Sequence, residues 1–263
     1  MRESSTAYQQ NGFYISKQPV IPLNVIQAAS KSMEVVRTGH YETGISPAEP
    51  SWKAIDGDNM LCRISMPHFS SQAVRDLIAH PALAKFVVSV TGTEVLQAWW
   101  TVYFSKPPIK QDRTCVGVHQ DFAYWSDLWD CSDGLFTAWI ALDDVNKDSG
   151  PLCYAARTHK NGIGKHNFFF EEDLNHQLQH IRNTHKGEWC EQPVVLPAGG
   201  VSIHHSLTYH WSGINTSSKP RVGIAIHFRS EKSKVLKKQG KTRYIDQLSK
   251  CPIIYRSTSR NQE

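Results

Sequence analysis

His119 and Asp121 stand two residues apart in Val118-His119-Gln120-Asp121, and further donors lie downstream in His204-His205-Ser206-Leu207-Thr208-Tyr209-His210. On an extended strand, residues i and i+2 project to the same face, so His119 and Asp121 can converge on one ion while Gln120 points away. Alone the pair carries little weight, because with 13 histidines in the chain a His-x-Asp is close to chance. Two imidazoles and one carboxylate on one face of a metal are another matter. They suit ferrous iron in oxygen-using chemistry, because the opposite face stays open for a bidentate 2-oxo acid and dioxygen.

His204 and His205 fall in the strand-like stretch 201–207 and read equally as core or supporting groups, whereas His210 enters the turn-rich Ser212-Gly213-Ile214-Asn215. Arg221 favours His210. It follows by eleven residues, at the start of the next apolar strand, where a fixed guanidinium could reach over the metal and pair bidentately with a distal carboxylate. Without a triad upstream, a surface arginine after Pro220 is the simpler reading. No G-x-S-x-G pattern supports Ser202 or Ser206 as a nucleophile.

The elements that must position these groups come in two blocks. Residues 8–20 read as a short helix feeding an edge strand, and helical patterns cover 24–37, 71–78 and 81–90. After Gly92 the pattern changes to short strands at 95–104, 115–121, 135–142, 151–155, 192–196, 201–205 and 221–228, separated by Gly, Pro, Asn and Asp clusters. Residues 165–188 interrupt them with a polar, helix-compatible insertion where a lid or substrate loop would sit. The expectation is one domain over 1–263: a helical lead-in to about residue 92, a mainly β core of sandwich or barrel type, and a basic tail over 229–263.

With 40% hydrophobic and 20% charged residues, the chain has material for a core and no compositional sign of disorder. The net charge of +5 is a property of the tail, where ten Lys/Arg stand against three Asp/Glu. Residues 232–241 interleave no aromatics, so a solvated basic face is expected rather than a nucleic-acid groove. No apolar run is long enough to span a membrane, and residues 1–10 lack the apolar core of a secretory signal. The six cysteines, scattered without a C-x-x-C, are expected to be mostly buried thiols in a cytoplasm-like compartment.

Five segments in order, Lys106-Pro107-Pro108, His119-Gln120-Asp121-Phe122, Thr137 to Leu142, Gly150-Pro151-Leu152 through Lys160, and His210-x-Ser212-Gly213-x-Asn215 with Arg221, resemble the phytanoyl-CoA dioxygenase family of iron- and 2-oxoglutarate-dependent oxygenases. The likeness runs from Tyr8 to about Phe228. It implies a double-stranded β-helix, a cupin-like jelly roll with flanking helices. It implies His119, Asp121 and His210 as iron ligands, Arg221 on the distal carboxylate of 2-oxoglutarate, Ser212 hydrogen-bonding near it and Trp139 packing beside it. More loosely, Arg63 falls where members place a basic residue near the cosubstrate, though a structural salt bridge explains it equally. Related halogenases lack the carboxylate ligand, so Asp121 disfavours halogenation. The implied reaction uses dioxygen, converts 2-oxoglutarate to succinate and hydroxylates the substrate, with desaturation, ring closure and endoperoxide formation as other outcomes.

The partner expected is a small molecule, not a nucleic acid or a membrane, and the sequence is silent on oligomeric state. Tyr124, Trp125 and Trp211, one to four residues from the ligands, are the candidates to receive it by stacking. Trp99, Phe104 and Trp129 read as packing. Two other classes stay open: a cupin-fold metalloenzyme without oxygen chemistry, and a non-catalytic binder that kept the pocket.

Overall fold

A computed structural model describes residues 3–48, 59–108, 114–169 and 173–258. Its helices are α1 (Glu3–Asn11), α2 (Leu23–Arg37), α3 (Gln72–Ile78), α4 (Pro81–Thr91) and α5 (Leu174–Thr184). The strands are β1 (Phe13–Ile15), β2 (Cys62–Ser65), β3 (Val95–Lys106), β4 (Val116–His119), β5 (Leu135–Ala141), β6 (Leu152–Ala155), β7 (Glu191–Pro193), β8 (Val201–His205), β9 (His210–Ser212), β10 (Arg221–Arg229) and β11 (Ile253–Arg256).

Two antiparallel sheets result: a larger one ordered β1-β8-β5-β10-β3-β11, with β2 also on β3, and a smaller one ordered β4-β9-β6-β7. They face each other as a double-stranded β-helix. Strand alternation sorts the residues. On β10, Val222, Ile224, Ile226 and Phe228 turn outward and pack with Met33 of α2, Leu77 of α3 and Val87 of α4. Arg221, Ala225 and His227 turn inward, into the space between the sheets. Each outward aliphatic side chain so buried contributes roughly 1.5–3 kcal/mol, which fixes the register and with it the inward row.

The helices form for local reasons. α2 buries Ile26, Ala29, Met33 and Val36 along one stripe. Ser71 caps α3 by accepting from the Val74 amide, and α4 opens with Pro81 at its first position and closes on Gly92 in the left-handed region. On β3 a bulge sets Trp100 against His227 but Ala98 against Phe228. The extra residue, Trp99, therefore turns to the same buried cluster as Trp100.

The order of helices and strands agrees with the sequence, and several bounds do not. The strand expected over 115–121 stops at His119, the one over 192–196 shrinks to β7 with an isolated bridge from Leu196 to Val145, and β2, β9 and β11 have no counterpart in the sequence reading. The tail is not merely a solvated face: β11 pairs with β3, Ile245 and Cys251 are buried, and Lys241 lines the central cavity. Only Cys62 and Cys251 of the six cysteines are buried, fewer than expected. Residues 170–172 of the insertion and 259–263 of the tail lie outside the described residues. No helix among the described residues is long and apolar enough to cross a membrane.

Candidate metal centre

His119 closes β4, and Asp121 opens a 3-10 turn (Asp121–Tyr124) instead of continuing the strand. Gln120 between them keeps extended dihedrals, so the two side chains still converge. His119 and His210 are paired residues across β4 and β9, with ring centroids 4.0 Å apart. Each Nε2 lies 3.8 Å from Oδ1 of Asp121. The three donor atoms lie within 4.8 Å of one another, all buried. Nδ1 of His119 sits 2.8 Å from the Gly117 carbonyl, and Nδ1 of His210 sits 3.0 Å from the Thr208 carbonyl. A carbonyl only accepts, so each Nδ1 carries the proton and each Nε2 presents a lone pair to the common point.

The other carboxylate oxygen is occupied. Oδ2 of Asp121 accepts from the Thr137 hydroxyl at 2.7 Å and lies 3.2 Å from Nε2 of His204. Having donated to the carboxylate, the Thr137 hydroxyl accepts from Nδ1 of His227 at 2.8 Å. His204 is held in turn by the Tyr154 hydroxyl at 3.1 Å. Burial drives the pKa of His119 down to about 4 and that of His227 to about 3, and it drives His210 well below its usual value. Burial alone would raise Asp121, but the facing His210, His204 and His227 hold it well below the carboxylate range. Neutral imidazoles with one ionised carboxylate are the donor set a divalent cation takes.

Beyond the triad, Arg221 opens β10 with 3% exposure, its guanidinium 5.2 Å over the Trp139 ring. Gly223 makes room for this: a Cβ there would stand 2.1 Å from the indole. Nε of Arg221 has no hydrogen-bond partner, and no acid forms an ion pair with it among the described residues. Burial lowers its pKa to about 10, which leaves it charged at neutral pH. An uncompensated buried charge costs several kcal/mol, so the site is built for an anion. Ser212, two residues beyond His210 on β9, lines the same cavity of about 820 Å³, its open mouth included.

Arg63, Tyr124 and Trp125 also line this cavity, with the Arg63 guanidinium 5.3 Å over the Phe169 ring. Trp211 does not. Between two inward residues of β9 it must face outward, and it stacks on Trp189 at 6.0 Å within a cluster that includes Leu174, Leu178 and Ile181 of α5. Nearness in sequence to a ligand was the wrong criterion on a strand. Trp99 and Trp129 are core, whereas Phe104 reaches the cavity wall. Thr137, His204, His227, Phe169 and Lys241 line it as well. Alternation on β5 and β10 is compatible with Thr137 and His227 facing inward but does not say what they meet; Phe169 falls in the insertion at 165–188 where a substrate loop was expected, and nothing in the sequence pointed to Lys241.

A jelly roll that sets two histidines and an aspartate around one point, with a buried arginine beyond them, fits the class of non-haem iron, 2-oxoglutarate-dependent oxygenases. The family pattern of phytanoyl-CoA dioxygenase (PhyH) matches residues 8–223, and the chain belongs to that family. It is 24% identical over 241 residues to the peroxisomal phytanoyl-CoA dioxygenase of Homo sapiens, covering 87% of this chain and 68% of the human one. Among solved structures, the non-haem α-ketoglutarate-dependent carbocyclase SnoK of nogalamycin biosynthesis superimposes with a TM-score of 0.69 at 20% identity, covering 92% of this chain and 90% of SnoK. The epimerase SnoN, solved with Fe3+, α-ketoglutarate and nogalamycin RO, gives a TM-score of 0.64 at 17% identity over 90% and 86% of the two chains. At these identities the two structures speak for the fold.

Proposed function

We propose that residues 1–263 act as one iron- and 2-oxoglutarate-dependent dioxygenase domain that hydroxylates an unactivated C–H bond of a small molecule, releasing succinate and CO2. His119 and His210 through Nε2, and Asp121 through Oδ1, would hold iron(II), which with dioxygen and the 2-oxo acid supplies the oxidising power. Arg221 takes the distal carboxylate of 2-oxoglutarate, Ser212 donates to it and Trp139 walls it. Arg63 stands beside the cosubstrate, and Tyr124 and Trp125, with Phe169 and Lys241, receive the substrate. Apolar walls from Val102, Phe104 and Leu152 exclude water from the reacting centre.

The observation that carries this reading is the buried Arg221, which faces the cavity of the triad and has no acid paired with it among the described residues. A metal hydrolase or isomerase that works without dioxygen and a 2-oxo acid has no use for it. Ring closure or epimerisation, the reactions named for SnoK and SnoN, would use the same residues, so the outcome at the substrate carbon depends on what sits above the metal.

Succinate release by the iron-loaded protein from 2-oxoglutarate under air tests the reading. His119→Ala and Asp121→Ala abolish it; full activity in both rejects the assignment. Arg221→Ala raises the 2-oxoglutarate concentration required by about 30-fold or more, the size expected for truncating one partner of a buried charge pair. Iron affinity stays unchanged in that variant, and an unaltered cosubstrate titration counts against the role of Arg221.

A further inference from the structure

Lys106 ends β3 directly opposite Arg221 in the β3–β10 register. Both side chains are buried, at 0% and 3% exposure. Like charges on paired residues of adjacent strands repel, and no acid pairs with either cation among the described residues. Lys106 is instead held by oxygens of one short segment. Its Nζ donates to the Ser212 hydroxyl at 2.8 Å, to the Ser212 carbonyl at 3.1 Å and to the Gly213 carbonyl. Burial and then the charge of Arg221 push its pKa down. Three acceptors nonetheless match the three N–H bonds of an ammonium and leave none to spare.

The consequence falls on Ser212. Its hydroxyl oxygen accepts from Lys106, so its single proton is directed elsewhere, and the residue lines the cavity that Arg221 also lines. Lys106 itself is not among the lining residues. We infer that Lys106 is a positioning residue for the distal carboxylate of the 2-oxo acid: it presents the Ser212 hydroxyl proton toward that carboxylate and adds a second positive charge behind Arg221. The inference rests on the dioxygenase reading above. It also gives a task to Lys106-Pro107-Pro108, a motif that the metal centre does not use.

A lysine that merely tied β9 to the end of β3 would affect every ligand alike. The test therefore compares two 2-oxo acids that chelate a metal identically: 2-oxoglutarate, and 2-oxopentanoate, which carries a methyl in place of the distal carboxylate. Each is titrated anaerobically into the iron(II)-loaded protein and followed by the visible metal-to-ligand charge-transfer band. Lys106→Met is expected to lower the preference for 2-oxoglutarate by about tenfold or more, the loss of a charge-assisted contact, while 2-oxopentanoate binds as in the wild type. An unchanged preference overturns the inference and leaves the dioxygenase reading standing. Absence of any 2-oxoglutarate band in the wild type overturns both. Should Lys106→Met fail to fold, Lys106→Gln keeps a polar end but drops the charge and ends one atom short of Nζ, withdrawing the donor from Ser212; a wild-type preference in that variant also overturns the inference.

Discussion

The two oxygens of Asp121 have separate tasks. Oδ1 faces His119 and His210, while Oδ2 is taken by Thr137 and His204. A carboxylate pinned in this way offers one oxygen to a metal, which keeps positions open for the 2-oxo acid and dioxygen. Thr137→Val removes the donor at almost constant volume and also deprives Nδ1 of His227 of its acceptor. Iron(II) affinity is expected to fall by about 10–100-fold, the usual cost of losing a group that orients a ligand, and a metal titration identical to wild type would show that Thr137 only fills space. That His119, Asp121 and His210 come together, and that Arg221 opens a strand beside them, was legible because their types and order are informative within short stretches. Thr137, His204 and His227 were not, because they form one row through the register of β8, β5 and β10, with His204 opposite Thr137 and Thr137 opposite His227. Such a row exists only once strands far apart in sequence have paired.

At the scale of elements, the segment that crosses beside the triad is held by Gln120, the residue skipped between His119 and Asp121. Its side-chain amide donates to the carbonyls of Gly162 and Leu207 and accepts from the Gly164 amide, and its own backbone N–H donates to Asn167. Phe168 then bonds to the Val118 carbonyl, and Phe169 lies with its ring 4.6 Å from that of His119. The sequence showed that 165–188 is an insertion with a helix, which is α5; it did not show that 162–169 runs against β4, because nothing apolar or periodic marks that contact. β9 was read as a turn because three residues are too few to display alternation. Gln120→Leu leaves the buried carbonyl of Leu207 unpaired, at roughly 1–3 kcal/mol where water does not reach it, and removes the half-buried contacts to the Gly162 carbonyl and the Gly164 amide. Amide exchange at Gly164 and Phe168 should rise well before global unfolding, while the triad residues keep their identity. Equal protection in the variant and the wild type would mean that the segment is held by other contacts.

Across the whole molecule, the lead-in helices cover the outer face of the larger sheet, and the tail closes its far edge. The sequence read the tail as solvated because lysines dominate its composition, yet the buried Ile245 and Cys251 are spaced too irregularly to announce a strand or helix. His68 is the tie between the two ends. It is 1% exposed, with Nδ1 2.9 Å from the Thr101 hydroxyl of β3 and Nε2 2.7 Å from the Lys250 carbonyl. Burial lowers its pKa from 6.5 to about 4, with the Lys250 carbonyl opposing and Arg75 adding to the shift. The folded state therefore takes up the proton less readily than the unfolded chain does. Its contribution is complete above pH 6.5, declines as pH falls through the interval down to about 4, and changes no further below that. Over the full interval this one group accounts for ~3 kcal/mol. His68→Gln keeps a donor for the Lys250 carbonyl but cannot titrate, so the stability gap between wild type and variant in urea unfolding should shift in the variant's favour as pH drops from 7 toward 4.5. A gap that stays constant across that range would show that His68 is not the group through which acid loosens the tail.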